Sequence, residues 1–131
     1  MDIALLCFND QEEVVFAGAQ RPLWIIRNKE LFETKGNKFS IGGTQPANEK
    51  IFVEHTIRLQ TGDLLYICSD GYADQFNDAD KKLMSKRFKE ILLNIHHLSM
   101  PEQEKYLEEF IEKWKGNFEQ TDDILVIGIR I

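Results

Sequence analysis

Five consecutive apolar or aromatic residues, Leu64 to Cys68, stand between Gly62-Asp63 and Ser69-Asp70-Gly71. Unbroken apolarity over that length predicts a strand covered on both faces, because a strand with one wet face alternates. A chain that contains such a strand must supply a layer above it and a layer below it. At its far end glycine allows a sharp turn, and Asp70 is left at the carboxyl end of a core strand. Two roles suit a carboxylate there. Asp is a favoured N-cap for the short helical stretch that follows, and a rigid strand end is also a way to hold a metal ligand or a catalytic acid. Local spacing alone favours the cap.

The chain of 131 residues is about one domain. Ile3 to Phe8 is an apolar run, Asn9-Asp10-Gln11-Glu12 a polar turn, and Glu13 to Ala17 a second strand, so a hairpin is expected. Gly18 to Pro22 breaks the pattern. Leu23 to Arg27 and Glu30 to Thr34, joined by Asn28-Lys29, form a second hairpin, giving an antiparallel meander. Lys35 to Lys50, with Ile41-Gly42-Gly43 inside it, reads as a long loop, and loops of that length are usually functional or mobile. Ile51 to Leu59 alternates and is expected as a half-buried strand. After Asn77 the period changes to that of a helix. Met84, Phe88, Ile91, Leu92 and Ile95 mark one amphipathic helix, and Leu107, Phe110, Ile111 and Trp114 a second. Ser99 and Glu102 have capping-box spacing with Pro101 in the first turn, and Gly116 is the expected stop. These aromatic stripes are core and receive no cofactor role. Gln120-Thr121-Asp122-Asp123 then leads into an apolar strand, Ile124 to Ile131.

Asp70 thus ends one core strand and Asp122-Asp123 begin another. Antiparallel neighbours would bring those ends together, and the crowded carboxylates would repel unless a divalent cation sat among them. A calcium site from Asp70, Asp74 and Asp78 is set aside, since spacing by four suits a helix face rather than a calcium loop.

Other classes are excluded by charge and pattern. The net charge of -6 and the lack of any Lys/Arg cluster argue against nucleic acid as a partner. Lys81-Lys82 with Lys86-Arg87 is read as the wet face of a helix. No run of about 18 apolar residues exists, so no membrane segment is expected, and no signal peptide is read at the start. Cys7 and Cys68, both in apolar runs, are expected to be buried and reduced, which suits the cytoplasm. Adjacent His96-His97 in a helical stretch cannot share one ion.

Taken in order, Gly62-Asp63, the apolar strand, Ser69-Asp70-Gly71, a helical region and Asp122-Asp123 before a last strand resemble the PPM-type metal-dependent serine/threonine protein phosphatases. Within them the chain is similar to the SpoIIE/RsbU-like bacterial branch. Phe16-Ala17-Gly18-Ala19 with Pro22-Leu23 is similar to that family's small-residue turn, and Ile41-Gly42 to its Ile-Gly or Leu-Gly loop. Ser69 to Phe76, and Trp114-Lys115-Gly116 through Glu119 to Asp123, resemble versions attached to bacterial sensor modules.

The resemblance implies an α+β fold, largely antiparallel sheet with two long helices, as part of an α-β-β-α sandwich. It implies phosphoric monoester hydrolysis by a metal-activated water, in bacterial signalling or sigma-factor regulation, with a phosphoserine or phosphothreonine protein as substrate. Asp70 and Asp122 become ligands of Mn²⁺ or Mg²⁺, a binuclear pair in the full family domain, with Asp123 beside them. No catalytic residue is assigned beyond these. The family's earlier Gly-Asp and Asp-Gly-His-Gly-like segments have no counterpart here. Residues 1–131 are therefore expected as the C-terminal half of the domain, weak or inactive alone, regulated in the parent by an upstream sensor module, with homodimerisation as one way to cover the gap. The competing expectation is a non-catalytic, phosphatase-like interaction or dimerisation domain.

Overall fold

A computed structural model describes residues 1–9, 12–42 and 51–131. Asp10 and Gln11 of the first expected turn, and Gly43 to Lys50 of the long loop, lie outside the described residues. The strands are β1 (Ile3–Phe8), β2 (Glu13–Ala19), β3 (Leu23–Arg27), β4 (Glu30–Thr34), β5 (Glu54–Arg58), β6 (Leu64–Cys68) and β7 (Val126–Arg130). The helices are α1 (Gly71–Asp74), α2 (Ser85–Ile95) and α3 (Met100–Lys115).

Both expected hairpins form, β1 with β2 and β3 with β4. Two antiparallel sheets result, one in the order β1-β2-β5 and the other β4-β3-β6-β7. Alternation along β3 and β6 explains how they stack. Trp24, Ile26, Leu64 and Tyr66 point to one side, where Phe88, Ile91, Leu92 and Ile95 of α2 and Leu107 and Ile111 of α3 close over them. Leu23, Ile25 and Leu65 point to the other, against Val14 and Phe16 of β2 and Leu59. The expected two-sided burial of β6 is met by helices above and the smaller sheet below. The fold is α+β, with layers in the order sheet, sheet, helices. No helix among the described residues covers the outer face of the smaller sheet.

Polar ties support the helical layer. Ser99 and Glu102 form the expected capping box, with the Ser99 N–H donating to Glu102 Oε2 at 2.8 Å. Buried Gln103 accepts from the Tyr66 hydroxyl at 2.6 Å and donates to the Leu98 carbonyl at 3.0 Å, so neither polar group is left unmet beneath α3. Asp63, 1% exposed, takes a bidentate grip from Arg27, Nε to Oδ1 at 2.8 Å and Nη2 to Oδ2 at 2.5 Å. The Gln60 N–H adds a bond to Oδ2 at 2.9 Å.

Several expectations are corrected. The strand read as Ile51 to Leu59 is shorter, Glu54 to Arg58, and Ile51 and Val53 are exposed. Met84 is not part of the buried stripe. It precedes α2 with φ +72 and its side chain faces solvent, because the chain is still turning out of the bridge between Phe76 and Lys82. Lys81-Lys82 accordingly lie before the helix, with Lys82 paired to Asp74 at 3.4 Å. His96 and His97 sit in the turn after α2. Cys7 is exposed, since it projects from the outer face of edge strand β1, while Cys68 is partly buried as expected of it. The last strand is Val126 to Arg130, and it is a half-buried edge rather than a core strand.

Candidate metal centre

Pairing of β6 with β7, Leu65 opposite Ile129 and Cys68 opposite Val126, carries the end of one strand to the start of the other. The segments just outside that ladder are laced together. The Ser69 hydroxyl donates to the Asp123 carbonyl at 2.7 Å and accepts from the Leu125 N–H at 2.9 Å, while the Ser69 N–H donates to the Leu125 carbonyl at 2.9 Å. Farther along, Gln75 Nε2 donates to the Glu119 carbonyl at 3.0 Å. Between these ties runs Gly71. A Cβ there would stand 2.4 Å from the Asp123 carbonyl oxygen, so only glycine lets the two segments approach this closely. Ser69-Asp70-Gly71 and Asp122-Asp123 are therefore neighbours, as their places on antiparallel strands led us to expect.

Asp70 occupies the N-cap position of α1, but its side chain makes no capping bond. Its Oδ2 instead accepts from Arg21 Nη2 at 2.9 Å. The same nitrogen donates to Asp2 Oδ2 at 3.0 Å, and Ser40 donates to the other oxygen of Asp2. The Ser40 hydroxyl, aided by Arg21 against the cost of desolvation, holds the Asp2 carboxyl below the usual carboxylate range. Asp122 and Asp123 are exposed. Asp122 Oδ1 accepts from the Asp123 N–H at 2.7 Å, a local turn that fixes the pair. Asp74 and Asp78 are turned to Lys82 and to the Asn117 N–H, so the calcium arrangement already set aside has no geometry behind it.

Carboxylates suit Mn²⁺ or Mg²⁺ in kind. In number they fall short, since among the described residues no group of three or more His, Cys, Asp or Glu side chains could hold a metal ion. Asp70, Asp122 and Asp123 are donors of the right kind and neighbours along the backbone, but their side chains do not by themselves form such a group. Arg21 and Asp2 are the residues that sequence reading missed as part of the site, and Ser69, though inside the motif read there, was given no role. Arg21 lies in the small-residue turn already singled out, yet nothing local in the sequence marks a partner 49 residues away.

The family model described as stage II sporulation protein E (SpoIIE) matches residues 2–131. A comparison with curated proteins finds no match. Among solved structures, the SiaA-PP2C domain of Pseudomonas aeruginosa is similar with a TM-score of 0.83 and 25% identity, over 92% of this chain and 47% of that one. The phosphatase domain of the cell fate determinant SpoIIE from Bacillus subtilis is similar at a TM-score of 0.66 and 18% identity, over 99% and 58%. The catalytic domain of PstP, a Mycobacterium tuberculosis serine/threonine phosphatase, in complex with two manganese ions, is similar at 0.61 and 16%, over 97% and 56%. The last two likenesses speak of fold, and this chain spans about half the length of each of these domains. The chain belongs to the SpoIIE family, and its fold is that of the PP2C, or PPM-type, phosphatase domains that its ordered motifs resemble.

Proposed function

We propose that these 131 residues are the C-terminal half of a metal-dependent protein serine/threonine phosphatase domain. In it Asp70, Asp122 and Asp123 supply this half's share of the ligands for Mn²⁺ or Mg²⁺. The observation that carries the reading is the lacing of Ser69-Asp70-Gly71 to Asp122-Asp123, through Ser69 and the close approach at Gly71. A capping role would leave that lacing without purpose, and the Asp70 side chain makes no cap bond. When bound, divalent ions would supply a nucleophilic water at neutral pH and neutralise phosphoryl charge. This chain's own contribution is to fix the backbone of Asp70 at the end of a rigid strand. The substrate would be a phosphoserine or phosphothreonine protein in a bacterial signalling pathway of the cytoplasm, with an upstream sensor module setting activity in the parent. No helix among the described residues is long and apolar enough to cross a membrane.

The test compares the 131-residue chain with the longer parent domain in Mn²⁺-dependent hydrolysis of p-nitrophenyl phosphate and of a phosphoserine peptide. The parent should turn over and lose activity with Asp70→Ala or Asp122→Ala, and the isolated chain should be slow by orders of magnitude. Full-rate turnover by the isolated chain sinks the half-domain reading. A parent indifferent to Asp70→Ala sinks the site.

A second reading is a non-catalytic interaction or homodimerisation module. The exposed apolar residues of edge strands β1 and β7 favour it: Leu5 and Phe8 on β1, Ile127 on β7 and Leu125 just before it. A stable homodimer that ignores Mn²⁺ would select this reading over the first.

A further inference from the structure

The two Arg–Asp contacts of the larger sheet are built differently. Arg27 grips Asp63 with two nitrogens on two oxygens, and the carboxylate is buried. Arg21 spends a single nitrogen, Nη2, on Asp70 and on Asp2 at once, while its Nε is buried and has no hydrogen-bond partner among the described residues. The Asp70 side chain is 45% exposed. A one-toothed pair whose carboxylate is open to water is a weaker anchor than the buried, two-toothed grip of Arg27 on Asp63. An orphaned guanidinium N–H beside a shared one instead marks a group not committed to either carboxylate.

The position of Arg21 is nonetheless well defined. Its turn is closed by Gln20 at φ +64, by the Gln20 N–H donating to the Asn37 carbonyl at 2.8 Å, and by the Asn37 N–H donating to the Gly18 carbonyl at 2.7 Å. A Cβ on Gly18 would stand 2.3 Å from the Arg21 carbonyl oxygen. The backbone of Arg21 is therefore pinned, and its side chain enters a cleft of about 280 Å³ with Asp2, Cys68, Ser69, Asp70 and Leu125 in its wall. Two carboxylates far apart in sequence, Asp2 and Asp70, thus converge on one cationic nitrogen. That is the location a divalent ion bound to Asp70 would contest, since a metal and a guanidinium cannot both claim the same carboxylate oxygen without repulsion.

We propose that Arg21 is an internal counter-cation for Asp70. It neutralises Asp70 in the metal-free chain, competes with the divalent ion for that carboxylate, and is taken up by Asp2 when the ion binds. The proposal rests on reading Asp70 as a metal ligand. It makes Arg21 and Asp2 positioning residues that set metal affinity, neither of them a ligand. Ser40, which holds Asp2 from the loop side, ties that setting to the loop that also carries Ile41.

The experiment is calorimetric titration of the 131-residue chain with Mn²⁺, for wild type, Arg21→Gln, Asp2→Asn, the double variant and Asp70→Asn. Arg21→Gln should tighten Mn²⁺ by about tenfold, the scale on which removing one nearby like charge acts. Asp2→Asn should weaken it by several-fold, because Arg21 then has only Asp70 to neutralise. In the Arg21→Gln background, Asp2→Asn should change nothing. Tightening that is absent or reversed in Arg21→Gln overturns the proposal, as does an Asp2→Asn loss of equal size in both backgrounds, which would make Asp2 a ligand. If wild type shows no binding, its appearance in Arg21→Gln supports the proposal and continued silence refutes it. Should Arg21→Gln fail to fold, Mg²⁺ titration of the wild type decides. The Arg21 Nε–H resonance must then move as the ion binds, and a fixed resonance alongside bound ion refutes the exchange. Asp70→Asn separates the two failures. Binding that survives it removes the site itself, while binding lost there but indifferent to Arg21 removes only the counter-cation.

Discussion

Asp63→Asn tests the anchor that holds three strands in register. Asp63 stands immediately before β6, Arg27 ends β3, and Arg27 Nη2 also donates to the carbonyl of Arg58 at the end of β5 at 2.8 Å. The Asp63 carbonyl accepts from the Ile131 N–H at 2.9 Å, which brings the end of the chain beyond β7 to the same point. Removing one partner of a buried pair costs roughly 3–5 kcal/mol, because the other charge is left without compensation. Here the Arg27 side chain is 25% exposed and keeps its bond to Arg58, so the low end, about 3 kcal/mol, is expected. At this chain length that corresponds to a fall in Tm of about 10 °C. Urea unfolding at neutral pH, followed by circular dichroism, should show a lower midpoint with an unchanged slope. The pH dependence supplies a signature. Burial alone would raise the Asp63 pKa, but the Arg27 guanidinium and the Gln60 N–H outweigh it and set it below the ordinary value of 3.8. A depressed folded-state pKa gives stability that is present above the unfolded value and lost as pH falls through the folded one. The gap between wild type and Asp63→Asn should therefore hold at neutral pH and close only below about pH 4. A loss under about 1 kcal/mol at pH 7 would refute the anchor, since that is the scale of an exposed pair.

Three other outcomes follow from the same geometry. Gly71→Ala should cost about 1–3 kcal/mol in urea unfolding, because its Cβ meets the Asp123 carbonyl oxygen at 2.4 Å, and should weaken Mn²⁺ binding in calorimetry by separating Asp70 from Asp122. Tyr66 is pushed up to about 12 by burial, against the opposing pull of Arg130 and Gln103, so its folded pKa lies above its unfolded one. Its contribution should be complete below about pH 10 and fall as pH rises toward the folded value, visible as a drop in Tm coincident with phenol ionisation. Iodoacetamide at neutral pH should label exposed Cys7 well before Cys68, whose thiol burial pushes up to about 11, and mass spectrometry of the peptides reads the order. Equal labelling of the two would contradict the burial of Cys68.

Much of the fold was legible because it is periodic. β1, β3, β4 and β6 have the bounds read from runs of apolar residues between turn formers, and the capping box at Ser99 fixed the start of α3. What sequence reading missed depends on which faces a second layer covers. Cys7 and Leu125 sit in apolar runs, but Cys7 projects from the outer face of the smaller sheet, which no helix among the described residues covers, and Leu125 lies just before β7, so both are exposed where the residues of β6 are buried between layers. Met84 has the right spacing for the α2 stripe and fails because the bridge between Phe76 and Lys82 holds the chain out of the helix one residue too long. Periodicity describes a segment against an average partner, and the covering layer or the bridge decides whether that partner exists.

The site divides along the same line. Its local motifs were readable, and their roles separate once the distances are known. The Asp of Gly62-Asp63 is consumed inside the sheet by Arg27 and the Gln60 N–H, which leaves it no capacity for a ligand. The Asp of Ser69-Asp70-Gly71 faces the reverse situation, part-exposed, without a cap bond, and paired to a guanidinium that it shares. Two Asp residues at either end of one strand thus differ by the completeness of their hydrogen bonding, which no local pattern encodes. A carboxylate with all its acceptors filled by fixed donors stabilises a fold, whereas one held by a single shared donor can still change partner. That difference is why the proposed cation exchange is assigned to Asp70 and not to Asp63.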